Sequence, residues 1–212
     1  MRPEGQWIET DAALEAVLGL EMVSEQLTKV SINHYYWKWV ILALHNSLQG
    51  FMVLALRGLN NVNILTKKCA EEWLAAYEQG RPRDPNPKLA DFPELYRSIK
   101  SGRMQLYSNS KIFKPNNTQN FSVKKLNSLR NEFIHFVPKI WALEISGLPQ
   151  IIMDCISIIS FLAFDCGNVI WHDTTLDQRT RELIEQISGQ VAAGILLQER
   201  ECQRYRYQAS AG

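Results

Sequence analysis

At 212 residues with a formal net charge of +1, the chain is long enough to bury one substantial core, and its overall charge specifies no partner. A hydrophobic share of 46% beside 21% charged residues excludes an intrinsically disordered chain. The four cysteines, Cys69, Cys155, Cys166 and Cys202, form no C-x-x-C pair, so no zinc site is expected; Cys155 and Cys166 read as small buried side chains in a reducing compartment.

The N-terminal MRPEGQWIETD turns acidic before any apolar run begins, which reads as no signal peptide. Thr10 and Asp11 then precede a helical pattern from Ala12 to about Ile32, with Leu14, Val17, Leu18, Met22 and Leu27 on its inner side. A second helix, Tyr35 to Leu56, is apolar on more than one face and must be covered on several sides. His45, Asn46 and Gln49 make a polar notch in it, either the second wall of an active site or, as is commoner, a hydrogen-bonded pair in the core or at an interface. A shorter helix from Ile64 to Gln79 carries Leu65, Cys69, Trp73 and Ala76 inward, and Gly80 stops it.

Residues 80–121 are expected to be mostly loop. Four prolines fall between Arg81 and Pro93, Asp91 caps a brief helix through Ile99, and Ser101 to Phe121 reads as an extended or mobile connection rich in Asn and Ser. Tyr107, Phe113 and Phe121 lie among its lysines, a mixture suited to single-stranded nucleic acid, although Phe113 and Phe121 could equally pin the loop to the body.

The stretch from Ser122 to Trp141 predicts an amphipathic helix that kinks or ends at Pro138. Leu126, Leu129, Phe133, Phe136 and Ile140 gather on a core side, while Asn127, Asn131 and His135 follow at i, i+4 and i+8 as one polar ridge flanked by Arg130. Between Lys100 and Lys139 eight basic residues face one acid, Glu132. That window carries +7 and leaves −6 for the rest, a segregated charge that suits a phosphate-bearing ligand or is a solvated loop.

Beyond the motif helix, Leu148 to Trp171 predicts a central helix apolar nearly all round, and Asp173 or Thr174 caps a last helix from about Leu176 to Arg200. His172 reads as an exposed loop residue and 201–212 as a fraying tail. Trp37 to Leu56 is broken by polar residues and Ile151 to Phe164 is short, so both read as buried helices and no membrane partner is expected. The chain reads as one all-α domain with no internal repeat, no phosphate-binding or dinucleotide glycine loop, no H-E-x-x-H and no G-x-S-x-G.

Arg130-Asn131-Glu132-Phe133-Ile134-His135 resembles the R-N-x-x-x-H signature of the HEPN superfamily, many of whose members are metal-independent ribonucleases. The resemblance covers the motif helix strictly and the helical remainder loosely. It implies an all-α, HEPN-like helical bundle, here with a long Pro/Asn-rich insertion before the motif helix, that pairs as a homodimer to build a shared site. Arg130 and His135 would then be the catalytic pair, Asn131 the polar residue between them, and no cofactor would be needed.

The residue types suit that chemistry. RNA is cut when its own 2′-hydroxyl attacks the neighbouring phosphate and expels the 5′-oxygen, leaving a 2′,3′-cyclic phosphate. An imidazole can take either proton-transfer role near neutral pH, an arginine can clamp two phosphate oxygens, and Asn131 can orient His135 or donate to the phosphate. One histidine cannot be base and acid at once, whereas a twofold dimer supplies two. Lys111, Lys114, Lys124, Lys125 and Asn127 are the candidate RNA contacts. Three readings stay open: a cytoplasmic endoribonuclease acting on single-stranded RNA, a toxin with an antitoxin or regulatory partner or a phage-defence effector; a non-catalytic HEPN-like helical dimer binding nucleotide, RNA or protein; or a purely structural helical dimer in which neither the basic window nor Arg130 matters.

Overall fold

The computed structural model describes residues 7–84, 86–135, 138 and 140–210, with side chains as far as Ile195. Asp11 starts the first helix, α1 (Ala12–Val30), by accepting from the amides of Ala13 and Leu14 at 2.8 Å. Its buried face holds Ala16, Val17, Gly19, Leu20 and Val23. Leu18 and Met22, expected inside, are 45% and 44% exposed because each lies about 160° from Leu20 around the helix.

After a 3₁₀ turn at His34–Tyr36, α2 (Trp37–Leu56) runs through the middle of the molecule with most of its side chains buried. The approach of α1 is very close. A Cβ on Gly19 would stand 2.8 Å from Ser47 Cβ, and one on Gly50 2.8 Å from Ala16 Cβ. Ser47 Oγ donates to the Ala16 carbonyl at 2.8 Å across the same seam.

The third helix, α3 (Lys67–Glu78), is not part of the bundle. It forms an excursion whose ends are closed by a bridge between Leu65 and Leu89, with Thr66 N–H donating to Lys88 O and Ala90 N–H to Ile64 O. Leu65 and Ala76 are buried as expected, but Cys69 and Trp73 are only half-buried. Asp91 caps α4 (Phe92–Ile99), accepting from the Glu94 amide at 2.8 Å.

The Ser101–Phe121 connection is pinned rather than mobile. Lys111 N–H donates to Cys166 O, Phe113 N–H to Ile99 O, and Asn168 Nδ2 to the carbonyls of Ala55 and Met104. Phe113 is 5% exposed between Tyr96 and Phe161, so its aromatic ring serves packing. Gly167 adopts φ +77°, and a Cβ there would lie 2.9 Å from Asn109 O.

The motif helix, α5 (Gln119–Ile134), is followed by the irregular 140–147 stretch and α6 (Leu148–Ser160). A π turn at Phe161–Asp165 extends α6, and the left-handed Gly167 ends it before Trp171. Asp173 Oδ1 accepts from Thr175 N–H at 2.7 Å at the start of α7 (Thr174–Ser210). Residues 201–210, expected to fray, continue this helix; they contain no glycine or proline to stop it. His172 is exposed, as expected.

Seven α-helices and no strand make the described residues all-α, with one continuous hydrophobic cluster drawn from α1, α2, α4, α5, α6 and α7. His34–Leu56 and Leu148–Asp165 are long and apolar enough to cross a membrane, and most of each is buried against the other helices. Replacing Gly50 by alanine should overpack the α1–α2 seam, where Ala16 backbone and Cβ atoms stand opposite. A loss of about 1–3 kcal/mol in urea unfolding is expected.

Candidate active site

α5 is held at its two ends by different devices. At its start Asn116 Oδ1 accepts from the amides of Thr118 and Gln119, and Asp154 of α6 accepts from Ser122 Oγ at 2.5 Å and Thr118 Oγ1 at 3.1 Å. A carboxylate at a helix N-terminus also meets the positive end of the helix dipole. Tyr96 lies beside this buried acid, and burial together with the negative charge of Asp154 pushes its phenol up to about 12.

At the other end the helix stops at Ile134, four residues before Pro138, where the sequence placed a kink or an end. A proline ring collides with the carbonyl one turn earlier, and that carbonyl belongs to Ile134. Ile140, expected on the core side, is consequently outside the helix and fully exposed, while Phe136 lies outside the described residues. Leu126 and Leu129 are buried as expected, and Phe133 packs at 5.1 Å against Trp141.

The polar ridge exists, but it is not uniform. Successive i+4 positions advance about 40° around a helix, so the ridge winds from the protein interior into solvent. Asn127 is half-buried against α2, where its Oδ1 lies 3.1 Å from His45 Nε2. Asn131, half-buried, accepts from Arg130 Nη1 at 3.0 Å. His135 is exposed. Its amide closes the last helical bond to Asn131 O, and its ψ of 52° then turns the chain away.

Arg130 is half-buried and pairs with no carboxylate among the described residues. Of its five N–H donors one is engaged by Asn131, which orients the guanidinium. This places Arg130, Asn131 and His135 within about one and a half turns at the C-terminal end of α5.

His45 is the residue that the motif alone does not include. It is 5% exposed, stacks on Phe92 at 4.0 Å and bonds to Asn127 rather than to Gln49. The ordinary expectation of a hydrogen-bonded core histidine therefore describes it, with its partner on the motif helix. The available signal was a single polar ring on a buried stretch of an otherwise apolar helix, which requires a partner from a neighbouring element. Burial lowers its pKa to about 4, and the nearby Arg130 charge adds to that, against the opposing Asn127 bond. With the amide oxygen as acceptor, the neutral ring carries its proton on Nε2.

The other candidate contacts are spread along the molecule. Lys124 and Lys125 are exposed on the outer side of α5, and Lys111 is exposed in the pinned connection. Lys114 lines a cavity of about 550 Å³ with Phe113, Gln119, Met153 and Phe161, beside the N-terminal end of α5 and away from His135. Asn127 is committed to His45. Among the described residues no three His, Cys, Asp or Glu side chains converge as a metal site. No family model, curated protein or solved structure matches this chain.

His45 makes stability depend on acidity. Above pH 6.5 the ring is neutral folded or unfolded; between 6.5 and about 4 only the unfolded chain takes up the proton, so stability falls as pH falls. Roughly 3 kcal/mol should be lost by pH 4 from this group. Urea unfolding of His45→Gln across that range should lack the corresponding slope.

Proposed function

We propose that the chain is a metal-independent endoribonuclease of the HEPN type that cuts single-stranded RNA through a site composed by two copies. The observation that carries the reading is Arg130: a half-buried guanidinium paired with no carboxylate among the described residues, tethered to Asn131 one turn from an exposed imidazole. Arg130 clamps the non-bridging oxygens of the scissile phosphate and stabilises the phosphorane. One His135 takes the proton from the 2′-hydroxyl as it attacks, and the His135 of a second copy gives a proton to the departing 5′-oxygen. The products are a 2′,3′-cyclic phosphate and a free 5′-hydroxyl.

A single protomer is short of one proton-transfer group, which supports the dimer. His45, the nearest other imidazole to Arg130, is buried and held neutral to about pH 4, so it neither accepts nor returns a proton at neutral pH. The same shortage favours a second reading, a non-catalytic module that binds nucleotide, RNA or protein, if the two copies never bring their ridges together. A cytoplasmic toxin with an antitoxin or regulatory partner, or a phage-defence effector, is the setting the ribonuclease reading suggests.

Unstructured RNA incubated with the protein in chelator should be cut. His135→Ala and Arg130→Ala should each reduce the rate by about 10²–10⁴ while leaving the unfolding midpoint near wild type. Wild-type rates in His135→Ala would overturn the proposal; salt-sensitive binding without turnover by the wild type would select the second reading.

A further inference from the structure

α5 presents an outer stripe to which the proposed chemistry gives no role. Phe121, Lys124, Lys125 and Ser128 are all exposed. At about 100° per residue they fall, with His135, within about 100° of the helix circumference. Phe121 is 67% exposed, whereas the neighbouring Phe113 is consumed in packing on Tyr96 and Phe161. Lys100 adds a further cation at this end, its Nζ donating to Asn120 Oδ1 at 3.0 Å beside Phe121. Glu132 is the one acid on the stripe.

We propose that this stripe is the path of a single RNA strand, with a base stacked on Phe121, backbone phosphates on Lys124 and Lys125, and the strand leading on to His135. The identity of the nucleic acid rests on the ribonuclease reading. An exposed ring beside cations offers what a strand of any sequence needs, because every base has a face to stack and every linkage a charge to meet. From Phe121 to His135 the helix rises about 21 Å, enough for about six nucleotides at the 3.4 Å rise of a stacked strand and fewer if it is extended.

Other occupants fit the stripe less well. The centre of a protein interface is depleted of lysine, whereas here two lysines flank the ring. An isologous contact with a second copy whose twofold axis passed at Lys124 and Lys125 would set these two lysines against their own counterparts.

The test uses the whole protein and a 2′-O-methyl oligonucleotide, which cannot be cut, carrying 2-aminopurine as a reporter of stacking. The wild type should bind it and quench the fluorescence. Phe121→Ala should lose the quenching and bind about tenfold more weakly, Phe121→Trp should retain both, and Lys124→Glu with Lys125→Glu should weaken binding and flatten its salt dependence. Failure of the wild type to bind, or unchanged affinity and quenching in Phe121→Ala, overturns the proposal. So does a Phe121→Ala protein whose only change is weaker self-association. An unmodified oligonucleotide run in parallel separates the two readings. Phe121-dependent binding without cutting keeps the path and removes the enzyme; cutting that ignores Phe121 keeps the enzyme and removes the path.

Discussion

The close crossing of α1 over α2 sets the position of everything else. Gly19, Gly50, Ala16 and Ser47 keep side-chain bulk out of the seam, so one side of α2 is covered by backbone at near-contact distance. α4, α5 and α6 close over the remaining sides of α2, and one of those sides presents His45. A ring buried there needs a polar partner, and leaving it without one would cost about 1–3 kcal/mol. Asn127 supplies that partner. The bond resists a slide of α5 on α2 in the direction that would bring the apolar Val123 opposite the ring. Arg130, Asn131 and His135 take their places from a contact that is itself structural.

The ridge of polar residues consequently has two natures. Its inner member is part of the fold, its middle member orients a guanidinium, and its outer member stands in water. That gradation follows from the mismatch between four residues and a 3.6-residue turn. The Arg130 charge reaches inward across it, where it helps keep His45 unprotonated.

Much of this was legible in the sequence because helical periodicity is a local property. The all-α class, the capping by Asp11, Asp91 and Asp173, the buried face of α5 at Leu126 and Leu129, and the ridge itself all follow from spacing. What escaped depends on tertiary context. Which side of α1 faced inward was decided by the small residues at the seam, so Leu18 and Met22 ended outside. The excursion of α3 is set by the bridge joining Leu65 to Leu89, a pairing of residues distant in sequence. The polar composition of Ser101–Phe121 suggested an extended or mobile connection, yet its own Ser110 fastens it, donating to Asn168 beyond α6 at 2.5 Å. The break of α5 near Pro138, by contrast, was legible, because a proline acts on its own preceding turn.

The anchoring of α5 at Asp154 has a mechanical corollary. A helix of 16 residues is a stiff rod about 24 Å long, gripped at one tip by a buried carboxylate and bearing its imidazole at the other. A tilt of about 5° about the gripped tip would swing the free tip by about 2 Å, a displacement large enough to misalign reacting atoms by itself. Polar side chains on α6 and in the 116–118 segment, remote from the guanidinium and imidazole, thereby act as the fulcrum of the arrangement.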